Sequence, residues 1–344
     1  MGCKMVEQGF ERGACETLMP DGSLLPACKA TLKKEGNMWY RLVEAAHLSR
    51  PEHYFSIYMS GCNHHCLKCH SAEFTKRYSG TWMSTEEIAL LVAEYQEQVT
   101  VYEPRERATM WHATDLCHCC GMCVIEGRRG PLCPGVLSPD QVILSPQGYG
   151  PARNICAFTG GDLACQVEFY AQLTEMIKDH CKNMWVLFET NGYGLTPQNL
   201  DVLKSAGVDA FWLDIKAYSE EVYRKLCGTS NKTVLQSPAE ILDRGFVLEV
   251  LSLYIPGWVE IAELEKIAHH LAEIDPKIPF TLLAFFPAYK LKNVRPPTLY
   301  EMLTAYFTVT RYLKNVKIGN CHVFARTEKD WEILISAVGK NAIG

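Results

Sequence analysis

Residues 61–69 read Gly61-Cys62-Asn63-His64-His65-Cys66-Leu67-Lys68-Cys69, three cysteines separated by three and then two residues. They follow an apolar run, residues 54–60, with the pattern of a buried strand. Three thiols on so short a loop close on one point. Thiolates suit iron–sulfur clusters and zinc, and a 4Fe-4S cluster ordinarily takes four protein ligands. Three ligands therefore leave one iron open to bind something else. His64 and His65 sit inside the loop, but beside three cysteines they read as loop residues rather than ligands.

Outward from this loop, short apolar runs alternate with helix-period segments from about residue 53, the rhythm of a parallel sheet with crossover helices. Further strands are expected at 154–159, 184–189, 211–215, 246–253 and 280–285, with one more within 316–324. Ser84 followed by Glu86 and Glu87 caps a helix to about residue 96; other helices are expected over 165–180 and after Thr196-Pro197. Ligands in such folds gather at the carboxyl ends of the strands. There the chain places Thr159-Gly160-Gly161-Asp162, Glu189-Thr190-Asn191-Gly192 and Leu213-Asp214-Ile215-Lys216. Each alone is ordinary turn chemistry. Their shared position behind a three-cysteine loop marks a site.

The chain has 344 residues, 48% of them hydrophobic, with a net charge of -5, which predicts a core but no basic surface for a nucleic acid backbone. No apolar run reaches the length of a membrane span and Met1-Gly2-Cys3-Lys4 opens no signal core, so a cytoplasmic protein without a membrane partner is expected. Sixteen cysteines in such a chain point to reduced thiols used for metal binding. A second group lies in residues 101–152, which break the strand–helix rhythm and read as an inserted module. There Cys117, Cys120 and Cys123 repeat C-x2-C-x2-C and Cys133 precedes Pro134. This pattern is read as an auxiliary 4Fe-4S cluster, with a four-thiolate zinc as the alternative and Cys119 as a spare or alternative ligand. Arg105, Arg107, Arg128 and Arg129 make the insert locally basic, facing either an acidic partner or solvent. Residues 1–52 show no strand–helix unit, and the spacing of Cys3, Cys15, Cys28, Cys156 and Cys165 gives no ligand pattern. Cys181, Cys227 and Cys321 are isolated and are expected to pack.

Over residues 53–325 the chain resembles the radical S-adenosylmethionine (SAM) superfamily, and within it the glycyl radical enzyme activating proteins related to pyruvate formate-lyase activating enzyme. The resemblance rests on the C-x3-C-x2-C loop continued by Cys69-His70, on Thr159-Gly160-Gly161-Asp162 where the family has Gly-Gly-Glu, and on Gln166-Val167-Glu168-Phe169 behind it. Thr190-Asn191-Gly192, Leu213-Asp214-Ile215-Lys216, Gly228-Thr229-Ser230-Asn231 and Ile255-Pro256-Gly257-Trp258 follow in the family's order. It implies an α/β fold: a partial (β/α)6 radical SAM barrel over 53–325, a ferredoxin-like insert at 101–152, an N-terminal extension (1–52) and a C-terminal tail (326–344).

The resemblance also implies chemistry. Cys62, Cys66 and Cys69 would hold a 4Fe-4S cluster that binds SAM, and a low-potential electron donor would drive cleavage of SAM to a 5'-deoxyadenosyl radical. That radical would take hydrogen from a substrate, a residue of a partner protein in the activating enzymes, with a small molecule or peptide as alternatives. A non-catalytic iron–sulfur electron-transfer protein is the contrasting reading. Gly160, Gly161 and Asp162 would receive the SAM amino group, Lys216 its carboxylate, and Asn191 would lie near the ribose. Glu189, Thr190 and Asp214 resemble a monovalent-cation site. Lys68 replaces an aromatic residue, Asp162 a glutamate, Leu251 and Leu253 a basic contact, and Phe285-Phe286 a histidine-containing segment. These departures predict an unusually apolar substrate pocket.

Overall fold

The computed structural model describes residues 2–344. Among these residues the strands, in chain order, are β1 (Glu16–Leu18), β2 (Leu24–Pro26), β3 (Leu32–Glu35), β4 (Met38–Leu48), β5 (Phe55–Met59), β6 (Thr81–Ser84), β7 (Ile143–Ser145), β8 (Gly148–Gly150), β9 (Ile155–Gly160), β10 (Trp185–Thr190), β11 (Ala210–Asp214), β12 (Val247–Tyr254), β13 (Phe280–Ala284) and β14 (Val316–Gly319). One central sheet runs β14-β13-β12-β11-β10-β9-β5-β4-β3, with β6 also on β4. From β5 to β14 every pairing is parallel. No pairing joins β14 back to β5 among the described residues, so the sheet is open rather than a closed barrel. The expected final strand is β14, which gives a seventh parallel strand.

Helices cross between the parallel strands at Val167–His180, Pro197–Ala206, Glu220–Cys227, Lys232–Asp243, Ile261–Ile274 and Leu299–Val309. The helix Thr85–Gln96 starts at the expected signal, with Ser84 and Glu87 forming a reciprocal capping box. The helix expected from residue 165 begins at Val167, leaving Cys165 and Gln166 in the loop before it.

Alternation along each strand divides the sheet into two faces. Cys156 and Phe158, Val186 and Phe188, and Phe211 and Leu213 join the large core beneath the helices. Ile155, Ala157, Leu187 and Ala210 point the other way and meet Tyr54 and, from the insert, Ala108 and Met110. The insert thus plugs the concave face near the amino ends of the strands. Its fastening is polar: Trp111 donates its N–H to Glu249 (2.7 Å), and Lys317 reaches the Trp111 carbonyl (2.6 Å) and Asp115 (2.7 Å). Arg105 pairs with Asp209 and Arg107 with Glu103, so these two arginines serve the fold. Arg128 pairs with Glu126 at the surface, and Arg129 donates to the Leu137 carbonyl (2.7 Å).

Residues 1–52 are tied into the same body. β4 runs antiparallel to β5 and carries the sheet beyond its parallel part. The first residues lie against the loops and helices following β9, β10 and β11. Lys4 bonds Glu168 (2.6 Å), Gln8 bonds Asn199 (2.9 Å), and Tyr193 donates to the Glu11 carbonyl (2.6 Å). Residues 326–344 pack as well: Leu334 of the helix Glu328–Val338 is buried, and Gly344 donates to Ile318 of β14 (2.8 Å).

Arg153, fully buried where the insert rejoins β9, bonds the Glu103 carboxylate and the carbonyls of Thr109 (2.8 Å) and Arg107 (2.6 Å). Removing one partner of a buried ion pair leaves a charge without its counterion. Glu103→Ala should lower unfolding stability by about 3 kcal/mol, the low end of that cost because the carbonyl partners remain. Urea unfolding followed by tryptophan fluorescence measures it; a loss below about 1 kcal/mol would show that the pair is not what anchors the insert.

Candidate active site

The concave face that holds the plug at its amino end holds a cavity of about 350 Å³ toward its carboxyl end. The same alternation places the lining: Thr159 follows Ala157, Glu189 follows Leu187, and Trp212 and Asp214 follow Ala210. Cys62, Cys66 and Cys69 all reach this cavity. The strand ends and the cysteine loop expected to form one site are brought together.

The loop is held from several sides. Asn63 donates its N–H to the Asp162 carbonyl, His65 to Cys227 and Leu67 to Leu226, each at 2.8 Å. A side chain on Gly161 would meet the Gly61 carbonyl at 2.1 Å, so two glycines let the loops after β5 and β9 touch. Gly61 and Gly160 also have φ of 79° and 81°, which favours glycine. Arg41 on β4, fully buried, donates one guanidinium nitrogen to the carbonyls of Ser60 (2.9 Å), Gly61 (3.2 Å) and Gly161 (3.1 Å). His64 is buried, with its ring nitrogens facing Asn63 (2.9 Å), Tyr223 (3.0 Å) and Thr229 (3.1 Å), and it shapes the loop as expected.

Two groups at the loop went unforeseen. Lys76 is buried with its ammonium on the His64 carbonyl. Burial opposes its charge, but the sulfurs of Cys62, Cys66 and Cys69 outweigh burial and raise its pKa. A lysine seven positions past Cys69 carries no motif. Cys227, expected only to pack, is buried in the core and has its thiol beside that of Cys66. That contact, helped by Lys216 and Lys76, pulls the Cys66 thiol below its ordinary value against the effect of burial. Cys181 and Cys321 are buried in the core, as expected.

The strand-end residues divide by what their polar atoms do. Gly160, Asp162, Glu189, Thr190, Asn191, Asp214 and Lys216 line the cavity. Gly161 does not, and its carbonyl is taken by Arg41. The Asp162 carboxylate accepts from Thr190 Oγ1 (2.6 Å), Asn191 N–H (2.9 Å) and Ala164 N–H (2.8 Å). It ties one strand end to the next before meeting any ligand. Asn191 reaches Asn63 Oδ1 (2.7 Å) on the cysteine loop. Lys216 pairs with Asp214, while the second Asp214 oxygen is buried without a partner. Burial opposes the Lys216 charge, but Asp214 and the sulfurs of Cys66 and Cys227 raise its pKa overall. Glu189 accepts from Tyr54 (2.9 Å) and Thr159 (2.5 Å). Burial, and then the neighbouring Glu52, push its pKa up to about 8.

Leu251, Leu253, Ile255 and Leu283 give the cavity an apolar wall, in line with the expected apolar pocket. Lys68 and Phe286, two departures far apart in sequence, meet here: the ammonium lies 3.8 Å from the ring centre. Burial and Lys216 lower the Lys68 pKa to about 8.

Cys117, Cys120, Cys123 and Cys133 lie at the other end of β5. His53, just before that strand, has its ring on the Cys117 carbonyl (3.0 Å), whereas the Cys62 loop follows the strand. Burial raises the Cys117 thiol, and the sulfurs of Cys120, Cys123 and Cys133 in its neighbourhood add to that. The spare Cys119 turns toward the His53 ring (3.9 Å).

Among the described residues no three His, Cys, Asp or Glu side chains gather as a single metal ion requires. Cys62, Cys66 and Cys69, flanked by the buried ammonium of Lys76, the half-buried one of Lys216 and an unpartnered carboxylate oxygen, fit a thiolate-bound cluster with a zwitterionic ligand beside it.

Residues 117–271 match the family model described as the Radical SAM superfamily, a span that begins after the Cys62 loop. A Methanocaldococcus jannaschii protein provisionally named as a glycyl-radical enzyme activating enzyme is 30% identical over 181 residues, 51% of this chain and 66% of that protein. The match therefore spans slightly less than two thirds of that relative. Among solved structures, a domain of pyruvate-formate lyase-activating enzyme from Bacteroides vulgatus aligns with 48% of this chain and 98% of its own at 17% identity and a TM-score of 0.41. Streptococcus suis SuiB bound to precursor peptide SuiA aligns with 52% of this chain and 40% of its own, at 13% identity and a TM-score of 0.42. No helix is long and apolar enough to cross a membrane among the described residues.

Glu189 gives the site a pH signature. Its carboxyl stays protonated in the fold up to about pH 8, while the unfolded chain releases that proton near 4.5. Its contribution to stability is therefore complete below pH 4.5 and is lost as pH rises toward 8. Glu189→Gln should flatten the fall in melting temperature across that window. An unchanged slope would mean that Glu189 is already ionised in the folded protein.

Proposed function

We propose that the chain is a radical SAM enzyme acting on a residue of a partner protein, a reading supported by the Radical SAM match over residues 117–271 and by the 30% identity to the Methanocaldococcus jannaschii protein. The observation that carries this reading is the convergence of the three-cysteine loop and three strand ends on one cavity. Cys62, Cys66 and Cys69 would hold the cluster, and the cluster with SAM supplies reductive cleavage to a 5'-deoxyadenosyl radical able to take hydrogen from a substrate.

The remaining work belongs to the protein. Lys216, half-buried and kept charged beside Asp214, would pair with the carboxylate of SAM. Gly160 offers backbone to the amino group. Asp162, its lone pairs directed to Thr190, Asn191 and Ala164, holds the ends of β9 and β10 in register and acts on SAM through that positioning. Asn191 spans from the β10 end to Asn63 and fixes the cysteine loop against the ribose region. Glu189, Thr190 and Asp214 would form the monovalent-cation site, to which Asp214 brings an unpartnered oxygen and Glu189, held neutral by burial, a carboxyl oxygen. Leu251, Leu253, Ile255 and Leu283 exclude water from the volume where hydrogen abstraction takes place. Cys117, Cys120, Cys123 and Cys133 would carry an auxiliary 4Fe-4S cluster.

The test uses protein reconstituted without oxygen, reduced with dithionite and given SAM, with 5'-deoxyadenosine as the product measured. Wild type should form it. Cys66→Ala should fall to background, a loss of at least about 100-fold, while keeping the iron of the insert. Cleavage retained in Cys66→Ala would remove the ligand assignment, and intact clusters without cleavage in wild type would favour an electron-transfer protein.

A further inference from the structure

Four cysteines that neither the cavity nor the insert uses come together on the outer side of the cysteine loop. Cys3 immediately precedes the helix Lys4–Glu7, and the Lys4–Glu168 bond pins that helix to the start of Val167–His180. Cys15 and Cys28 flank the β1–β2 hairpin. Glu16 pairs with Pro26 there, and Ala27 donates its N–H to the Cys15 carbonyl (2.6 Å), so the hairpin's open end holds both cysteines side by side. Cys165 lies in the loop between β9 and Val167–His180 and is buried. All four line one small cavity whose wall also includes Asn63 of the cysteine loop. Segments at least 137 residues apart in sequence, Cys28 and Cys165 being the nearest across the gap, thus place four cysteines around one cavity.

Their surroundings support their proximity. Burial raises the Cys28 thiol, and Cys15 and Cys3 raise it further. Cys165 is raised by burial, then by Asp162, Cys28, Cys3 and Cys15. All four are free thiols. Four thiols with no mutual disulfide, enclosed between packed segments, form a soft donor set of the kind that binds iron–sulfur clusters or zinc. Four cysteines supply the complete protein ligand set of a 4Fe-4S cluster.

We propose that Cys3, Cys15, Cys28 and Cys165 ligate a further 4Fe-4S cluster, seated between the N-terminal segment and the loop after β9. It lies against the cysteine loop through Asn63, whereas the insert cysteines are beyond the far end of β5. The five residues of that strand alone span roughly 16 Å. This inference stands apart from SAM chemistry and is tested without it.

After anaerobic reconstitution the wild type should hold iron and sulfide for three clusters, and Cys15→Ser/Cys28→Ser should lose about four of each per chain with its far-UV circular dichroism unchanged. Unchanged iron and sulfide in the variant, or one zinc per chain with iron for only two clusters, overturns the proposal. A second measurement avoids mutation: thiol alkylation of the native holoprotein read by peptide mass spectrometry. Cys3, Cys15, Cys28 and Cys165 should be protected together and should label together once a chelator strips the iron. Labelling of these cysteines before chelation, or only after a disulfide reductant, overturns it.

Discussion

One guanidinium nitrogen of Arg41 accepts the geometry of two loops at once. By donating to the carbonyls of Ser60, Gly61 and Gly161, it sets the end of β5 against the end of β9. Charge-assisted bonds of this kind contribute about 1.5–3 kcal/mol each, but the buried Nε and Nη1 have no partner, and each unsatisfied donor costs about 1–3 kcal/mol. The two sides nearly offset. Position rather than stability is therefore what the residue provides: the cysteine loop, the Gly160–Gly161 turn and the Asp162 tie all take their places from a side chain on an antiparallel strand outside the parallel sheet.

The charges around the cavity follow from the same arrangement. Lys76 and Lys216 face the sulfurs from two directions, and each keeps its proton because anionic partners outweigh burial. Deeper in the concave face Glu189 and Glu52 share space with Tyr54, and burial favours the neutral carboxyl at both. The cavity is thus cationic at the cysteine loop, neutral at its base and apolar along β12 and β13. A ligand with a carboxylate and an amino group can be oriented by the first region while its less polar part is left to the others.

Much of this was legible in the sequence because it depends on local pattern. Apolar runs of five to eight residues located the parallel strands, Ser84 with Glu87 located a helix start, and Thr159-Gly160-Gly161-Asp162 and its counterparts fell at strand ends. What escaped depends on contacts between distant segments. Arg41 and Lys76 have no motif, since their partners are carbonyls and sulfurs supplied by other segments. Asp162 lines the cavity as expected of a SAM contact, but its ties to Thr190 and Asn191 come from a strand end that only the fold brings near. β4 lacked a crossover helix to announce it. Cys3, Cys15, Cys28 and Cys165 have no readable spacing, because a hairpin, a helix start and an interstrand loop do the gathering.

The plug of the insert has a consequence for traffic. With Ala108 and Met110 filling the concave face at the amino ends of the strands, that end is shut, and whatever reaches the cavity arrives from the cysteine-loop side. A space of about 350 Å³, once shared with a cofactor, has no room for a folded element. A protein residue could enter only on a strip of chain drawn out of its own structure. For the partner-protein substrate proposed above, the donor of that residue would have to open locally first, so the rate of encounter would depend on the partner's fraying as much as on anything in this site.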